Sequence, residues 1–131
     1  MIWGENGSGK TSLLEAVHIL SYGKSFKTSR HKELIKRGSA SYVLRGLYGK
    51  NGTSETIDTE YRIKGSQKTK LNGKKITSRK EQVRRNPAVI LSPEEQEITK
   101  GGPAERRRFF DKVFSVVSTE YLDTLQTYVK I

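Results

Sequence analysis

The chain has 131 residues and no cysteine, with 33% hydrophobic residues, 30% charged residues and a formal net charge of +11. Disulfides and thiolate metal sites are therefore excluded, and no apolar run approaches the ~20 residues that a membrane-spanning helix needs. The length suits one domain of ordinary size, and the excess of positive charge favours a polyanionic partner, either nucleic acid or an anionic membrane surface.

A phosphate-binding loop lies at the start of the chain. Residues 4–11 fit the pattern Gly-x-x-x-x-Gly-Lys-Ser/Thr, and an amphipathic helix is predicted from about Gly9 to Ser21. Lys10 is expected to reach the β- and γ-phosphates of a nucleotide, and Thr11 to offer its hydroxyl to Mg²⁺. The predicted nucleotide-binding residues are Gly4, Glu5, Asn6, Gly7, Ser8, Gly9, Lys10, Thr11 and Ser12.

The strand that should lead into this loop is short. Only Met1, Ile2 and Trp3 precede Gly4, whereas a buried strand usually takes ~4–8 residues. We therefore expect the chain to begin inside its own first strand. A chance glycine-rich loop is the alternative, and the amphipathic helix that follows at once makes it the weaker one.

The helix is predicted to end at Tyr22-Gly23, where glycine suits the position after the last turn. Residues 24–30 then form a basic, hydroxyl-rich loop, for which a nucleic-acid backbone or a partner subunit are the candidate targets. A short helix is predicted at 31–36. His18 and His31 are expected to be ordinary helix-surface residues without a chemical role.

Two β-hairpins are predicted in the middle of the chain. Residues 42–48 alternate as a strand does, Asn51-Gly52 is a type I′ turn signal, and residues 56–63 read as the returning strand. A second, shorter hairpin is predicted at 68–77. Antiparallel strands after the loop and helix favour a sheet packed beside the nucleotide-binding core rather than a parallel βαβ continuation.

Positive charge is concentrated on the second hairpin and on the helix predicted at 78–85, with Ser78 as N-cap. Residues 64–85 contain nine Lys/Arg and one acidic residue, which gives +8 of the net +11. This concentration predicts contact with DNA or RNA, although a solvated lysine-rich surface is the simpler alternative. The candidate DNA-binding residues are Lys68, Lys70, Lys74, Lys75, Arg79, Lys80, Arg84 and Arg85.

Residues 88–91 are a short apolar run and are predicted to form a buried strand. Ser92-Pro93-Glu94-Glu95 follows, but it lacks the Asp of a Walker B motif, so no catalytic residue is predicted. Two helices complete the chain, the first beginning at Pro103 and the second at Thr119. No stop signal precedes the last residue, so we expect the chain to be cut at this end as well. Their predicted apolar residues are Phe109, Phe110, Val113, Phe114, Val116, Val117, Tyr121, Leu122, Leu125, Tyr128 and Val129.

Several segments together carry a family resemblance. Residues 4–17 look like the start of SMC-like and ABC-type ATPases of DNA repair. Residues 22–28, 91–95 and 102–111 resemble, in order and spacing, three segments of the RecF family of bacterial recombination mediators. Glu95 stands where that family usually has Asp, and Phe110 where Leu is common.

The resemblance implies the fold class: an α/β P-loop NTPase, with lobe I of an ABC-type ATPase head at 1–102, an antiparallel β subdomain, and the beginning of a helical arm (lobe II) at 103–131. It also implies a Q-loop-like role for Glu95. The signature, Walker B, D-loop and switch-histidine motifs are absent from this sequence, so we expect a piece of a longer protein that hydrolyses ATP very slowly or not at all.

The resemblance further implies a cytoplasmic bacterial protein that closes on duplex DNA as an ATP-dependent homodimer. Such a protein helps load recombinase at single-strand gaps, with RecR and RecO as partners. Two other classes remain open from the sequence: a different P-loop NTPase, such as a kinase or a transport ATPase, and a nucleic-acid-binding module with a vestigial P-loop.

Overall fold

A computed structural model describes residues 1–50, 52–90 and 101–129, with the side chains of Lys50 and Arg79 left out. The chain divides into two compact units, 1–86 and 87–131. The elements of the first unit are α1 (Lys10–Tyr22), a 3-10 turn (His31–Leu34), β1 (Ser41–Lys50), β2 (Thr53–Arg62), β3 (Lys68–Leu71), β4 (Lys74–Ile76) and α2 (Arg79–Arg85). Those of the second are α3 (Pro103–Val117) and α4 (Thr119–Tyr128).

The four strands form one antiparallel sheet in the order β1-β2-β3-β4. Asn72 and Gly73, between β3 and β4, both have positive φ, 48° and 80°, as a type I′ turn requires. The Asn72 side chain accepts a hydrogen bond from the Thr56 N–H at 2.7 Å, which ties this turn to β2. The predicted second hairpin is therefore confirmed; the first is present too, although Asn51 lies outside the described residues.

One face of the sheet packs against α1. Leu20 of α1 lies with Ile57 and Leu71 in a buried cluster, and Leu44, Tyr48 and Ile76 pack around it. Gly46 permits this close approach, because a Cβ there would lie 2.9 Å from Leu20 Cδ1. The alternation read from residues 42–48 thus places one set of side chains on the helix and the other on the opposite face of the sheet.

A side chain from α2 holds the end of α1. Buried Gln82 donates its Nε2 protons to the carbonyls of Ile19 and Leu20, at 3.1 and 2.7 Å. Gly23 follows in the left-handed conformation, and its N–H bonds to Ile19 O. These contacts satisfy carbonyls that a helix end otherwise leaves without partners. Ser78 caps α2 as predicted, its Oγ accepting from the Glu81 N–H.

The described part of the second unit contains two helices, which are joined at one residue. Pro103 occupies the first turn of α3, as predicted, and the Ser118 Oγ accepts the Tyr121 N–H at the start of α4. The Phe114 ring meets Tyr121 edge-on. Much of the predicted apolar side stays exposed; Val117 is 80% exposed.

Two predictions about strands were wrong. Residues 88–90 are not a strand and are not fully buried; Val89 is 56% exposed. Met1–Trp3 carry no strand either, and Trp3 is 87% exposed. A strand exists only when another strand supplies its hydrogen bonds, and neither segment is paired with the sheet β1-β2-β3-β4. The apolar run at 88–90 and the motif context at 1–3 do not report whether such a partner is present.

The prediction of two surface histidines was also wrong. His18 is only 3% exposed; its ring stacks on Tyr22, and its Nδ1 lies 2.7 Å from Lys24 O. His31 stacks on Tyr61 and contacts the Tyr42 hydroxyl at 2.9 Å. His18 is packed by Phe26 and the Lys24 carbonyl of the segment that follows α1, and His31 by tyrosines of β1 and β2. Local helical spacing reveals neither set of contacts.

Candidate nucleotide-binding site

The loop at residues 4–9 is shaped by glycines in conformations that other residues rarely adopt. Gly4, Gly7 and Gly9 have φ of 156°, 84° and 91°. The Ser8 N–H bonds to Glu5 O at 3.2 Å and closes the turn. Residues 1–9 are all exposed, so a ligand can reach the backbone of this loop.

Lys10 lies across the loop that precedes it. Its Nζ donates to Gly4 O at 2.8 Å and to Glu5 O at 2.7 Å. An ammonium carries three donor protons, so two of them hold the loop closed on itself. The side chain therefore places a positive charge against a glycine-turned loop, an arrangement that suits phosphate binding.

The start of α1 supplies the remaining groups of an anion and metal site. Gly9 caps the helix without a side-chain hydrogen bond, so first-turn N–H groups keep no side-chain partner and the positive end of the helix faces the loop. Thr11 and Ser12 are exposed, and within the described ranges neither hydroxyl makes a hydrogen bond. A free threonine hydroxyl beside a phosphate cradle fits the hard-oxygen coordination of Mg²⁺.

The basic loop that follows α1 is folded back onto it. The Ser25 hydroxyl donates to Glu15 of α1 and accepts from the N–H groups of Lys27 and Thr28 at 2.9 and 3.2 Å. Glu15 lies one helical turn beyond Thr11. The loop is thus attached close to the nucleotide-binding end of α1, nearer than its distance along the chain suggested.

The candidate DNA-binding residues do not form one cluster. The strand register places Lys68, Lys70 and Lys75 on the face of the sheet opposite α1, whereas Arg79, Lys80, Arg84 and Arg85 belong to α2. Lys74 lies at the start of β4, beside the turn. Of these residues, Arg85 is paired with Glu55 at 3.0 Å. DNA contact by any of them remains a prediction.

One predicted site residue lies outside what the structure describes. Glu95 and the rest of 91–100 are outside the described residues. Across the described ranges there is no group of three or more His, Cys, Asp or Glu side chains able to hold a metal. None of the described helices has the length and apolar character to cross a membrane.

Sequence reasoning missed an aromatic cluster that joins the 3-10 turn to β1 and β2. His31, Tyr42 and Tyr61 stack with ring centroids 5.2 to 6.3 Å apart. Burial, with the neighbouring Tyr61, raises the pKa of Tyr42 to about 12. The register pairs Tyr42 with Tyr61 across β1 and β2, so the hairpin signal predicted that pair, whereas nothing local pointed to His31.

Comparison with known proteins places these features in a family. Residues 1–127 match a family model described as an AAA domain. The chain is 42% identical over 130 residues to the DNA replication and repair protein RecF of Leptospira interrogans, covering 98% of this chain and 36% of that protein. It is 38% identical to RecF of Pseudoalteromonas translucida, over 100% and 36% of the two lengths. The chain thus spans little more than a third of these relatives.

Solved structures agree with the fold. The recombination mediator RecF bound to ATP, described as part of the RecFOR pathway, matches with a TM-score of 0.80 and 37% identity, over 98% of this chain and 35% of that one. An SMC ATPase structure matches with a TM-score of 0.66 at 23% identity, over 86% and 82% of the two chains, and shows the fold alone. The predicted fold class and the resemblance to RecF are confirmed.

Proposed function

This chain belongs to the AAA-domain family, and from that premise we propose that residues 4–12 bind ATP with Mg²⁺. We propose further that the whole protein is an ATP-dependent DNA-binding protein of recombinational repair and replication. The observation that carries the first proposal is the glycine-turned loop, with Lys10 folded across it and α1 beginning directly behind. The second proposal rests on the sequence identity of 42% and 38% to RecF proteins, which extends over nearly the whole of this chain.

Each group of the site has a defined task. The loop N–H groups and the positive end of α1 receive the phosphate oxygens, and Lys10 exchanges its two carbonyl partners for the β- and γ-phosphates. The Thr11 hydroxyl is the ligand that the chain offers to Mg²⁺, which neutralises phosphate charge when bound. Because these residues contact the phosphates themselves, the proposed binding of a nucleoside triphosphate does not depend on the groups that face the far side of the γ-phosphate.

The action on DNA is proposed for the complete protein. The resemblance to RecF implies that two protomers of the complete protein enclose ATP and close on duplex DNA. It also implies RecR and RecO as partners in the bacterial cytoplasm. The matched RecF with ATP is described as a recombination mediator in the RecFOR pathway. For this chain, support comes from the basic segment 64–85, whose phosphate contacts would weaken with salt.

A DNA-binding assay with and without nucleotide tests this proposal. Fluorescence anisotropy of a labelled duplex would be followed for the full-length protein, with and without ATP and Mg²⁺, alongside Lys10→Ala. We expect ATP to tighten DNA binding by the wild type at least about tenfold, within the usual ~5–150-fold range of coupling between two sites, and to leave DNA binding by Lys10→Ala unchanged. Lys32→Ala, an exposed residue of the 3-10 turn, is the matched control.

The same assay distinguishes ATP-dependent DNA binding from the alternative, a nucleic-acid-binding module with a vestigial P-loop. A module of that kind would bind DNA equally with and without ATP, and Lys10→Ala would leave both curves unchanged. That result would contradict ATP-dependent binding and leave a nucleic-acid-binding module as the function.

A further inference from the structure

The β3–β4 hairpin presents three lysines on the face of the sheet that points away from α1. Along β3, exposed Lys68 and Lys70 alternate with buried residues, of which Leu71 packs against Leu20 of α1. Lys75 lies directly opposite Lys70 on β4 and is exposed too. Residues directly opposite each other share a face of the sheet. We call this face the outer face, and Lys68, Lys70 and Lys75 the lysine triad.

The carboxylates nearest to the lysine triad on the outer face are already neutralised. They belong to Asp58 and Glu60, which lie opposite β3 on β2. Arg45 holds Asp58 at 2.5 Å, and Arg62 holds Glu60 at 2.6 Å. The lysine triad makes no ion pair with any described residue, so the outer face keeps the positive charge of these three side chains.

The register brings two of these like charges together. Cβ atoms of residues directly opposite each other are about 4.5–5.5 Å apart, and like charges at such positions destabilise a sheet. Lys70 and Lys75 cannot slip apart, because the two-residue turn Asn72-Gly73 fixes the register of β3 and β4. An anion held between the two ammonium groups would replace this repulsion by attraction.

The cations of α2, by contrast, lie among carboxylates. Arg85 is paired with Glu55 at 3.0 Å. Lys80 and Arg84 line a groove of about 750 Å³ together with Glu55 and Glu81. A phosphate that approached this groove would be repelled by carboxylates as well as attracted by cations. Of the two basic surfaces, the outer face is therefore the better match for a polyanion.

The described strands place no aromatic side chain on the outer face. All three tyrosines of the sheet occupy register positions on the face towards α1: Tyr42 lies opposite Tyr61, and Tyr48 packs against the buried cluster. Proteins that hold single-stranded nucleic acid stack its bases on aromatic side chains, whereas contacts to the phosphates of a duplex need only cations. The outer face therefore fits a duplex better than a single strand.

We propose that the lysine triad binds the phosphate backbone of duplex nucleic acid and does not read its base sequence. This inference rests on the proposed DNA binding and deepens it, since it names the surface that makes the contact. Each lysine carries a point charge on a flexible stem and can follow a separate phosphate. The far edge of the outer face, with exposed Val43 and Leu47 on β1, lies outside the contact.

The salt dependence of duplex binding by the full-length protein tests this proposal. Fluorescence anisotropy of a labelled duplex gives the affinity at several salt concentrations, with ATP and Mg²⁺ present throughout. Lys70→Gln and Lys75→Gln are each expected to lower the slope of log affinity against log salt concentration by about 1, the contribution of one phosphate contact. Lys32→Gln, the same change of charge at an exposed position of the 3-10 turn, should leave the slope at the wild-type value.

Urea unfolding of the same variants separates the loss of a contact from the loss of the fold. Lys75 lies opposite a lysine and no carboxylate in the described register, so its removal relieves repulsion. Lys75→Gln is therefore expected to unfold at the same urea concentration as the wild type or at a higher one. Weaker duplex binding by a variant that is at least as stable reports a lost phosphate contact.

Each outcome supports or overturns the proposal. Lowered slopes in both triad variants but not in Lys32→Gln, equal for duplexes of different sequence, support it. Wild-type slopes in the triad variants overturn it and leave the lysines as charges that keep an edge strand from pairing with other chains. Tighter binding of a single strand than of a duplex of the same length overturns the assignment to a duplex.

Two further results concern the kind of partner. If the triad variants lose affinity for phosphatidylcholine vesicles that contain phosphatidylserine, with duplex binding unchanged, the outer face is a membrane contact and the proposal is overturned. If the wild type binds no duplex at all, the proposed function and this inference fall together. Failure of the ATP dependence alone would be seen separately, in the Lys10→Ala assay, with the slopes of the triad variants still lowered.

Discussion

The Ser25 hydroxyl connects α1 to the basic loop behind it through Glu15 and the N–H groups of Lys27 and Thr28. Ser25→Ala removes one donor and one acceptor from a residue only 7% exposed. We expect the free energy of unfolding to fall by about 1–3 kcal/mol, since the groups left behind lose their partner. Urea unfolding followed by circular dichroism measures it.

Ser29→Ala is the control for that change, because Ser29 is exposed in the same loop. Its effect should stay within about 0.5 kcal/mol. Equal losses from the two variants would show that the Ser25 contacts do not stabilise the loop.

Tyr42 predicts a dependence on alkaline pH. Its pKa in the folded protein is about 12, above the ordinary 10.0, so the neutral phenol is favoured by folding. This contribution is fully present below pH 10.0 and is lost as pH rises through about 12. Titration followed by phenolate absorbance should show a late component that Tyr42→Phe removes. A late component that persists in Tyr42→Phe would contradict the assignment.

The contact between α2 and α1 holds the two helices of the first unit together. Gln82→Ala would leave the carbonyls of Ile19 and Leu20 without this donor in a buried position. We expect a loss of about 1–3 kcal/mol in the free energy of unfolding, measured by urea unfolding. Gln126→Ala on α4 should change stability by less than about 0.5 kcal/mol, and a Gln82→Ala variant as stable as that control would contradict the account.

Elements with local signals were predictable, and elements fixed by distant contacts were not. Asn72-Gly73 predicted a hairpin because few residues adopt positive φ, and Ser78 predicted the start of α2 because its hydroxyl caps a free N–H. The prediction of a strand at 88–91 was wrong for the described residues 88–90, because a strand forms only when a neighbouring strand pairs with it. Gln82 contacts Ile19 across 63 positions of sequence, and no local pattern reports such a contact.

At the scale of the whole molecule, the glycine loop and its helix form one local unit, which is why the motif alone located residues 4–12. The basic segment is different: its charges are adjacent in sequence, but the strand register and α2 distribute them over separate surfaces. Charge counting therefore predicted the class of partner, whereas only the folded chain separates Lys68 and Lys75 from Arg85, which Glu55 already neutralises.

Equilibrium binding of a fluorescent ATP analogue with Mg²⁺ tests the central claim most directly. The wild-type chain, Lys10→Ala and the control Lys32→Ala would be compared after circular dichroism has shown that each is folded. We expect saturable binding by the wild type and Lys32→Ala, weakened at least about tenfold in Lys10→Ala, because a charge-assisted contact to phosphate is lost. Equal affinity in all three folded chains would contradict a phosphate site at this loop.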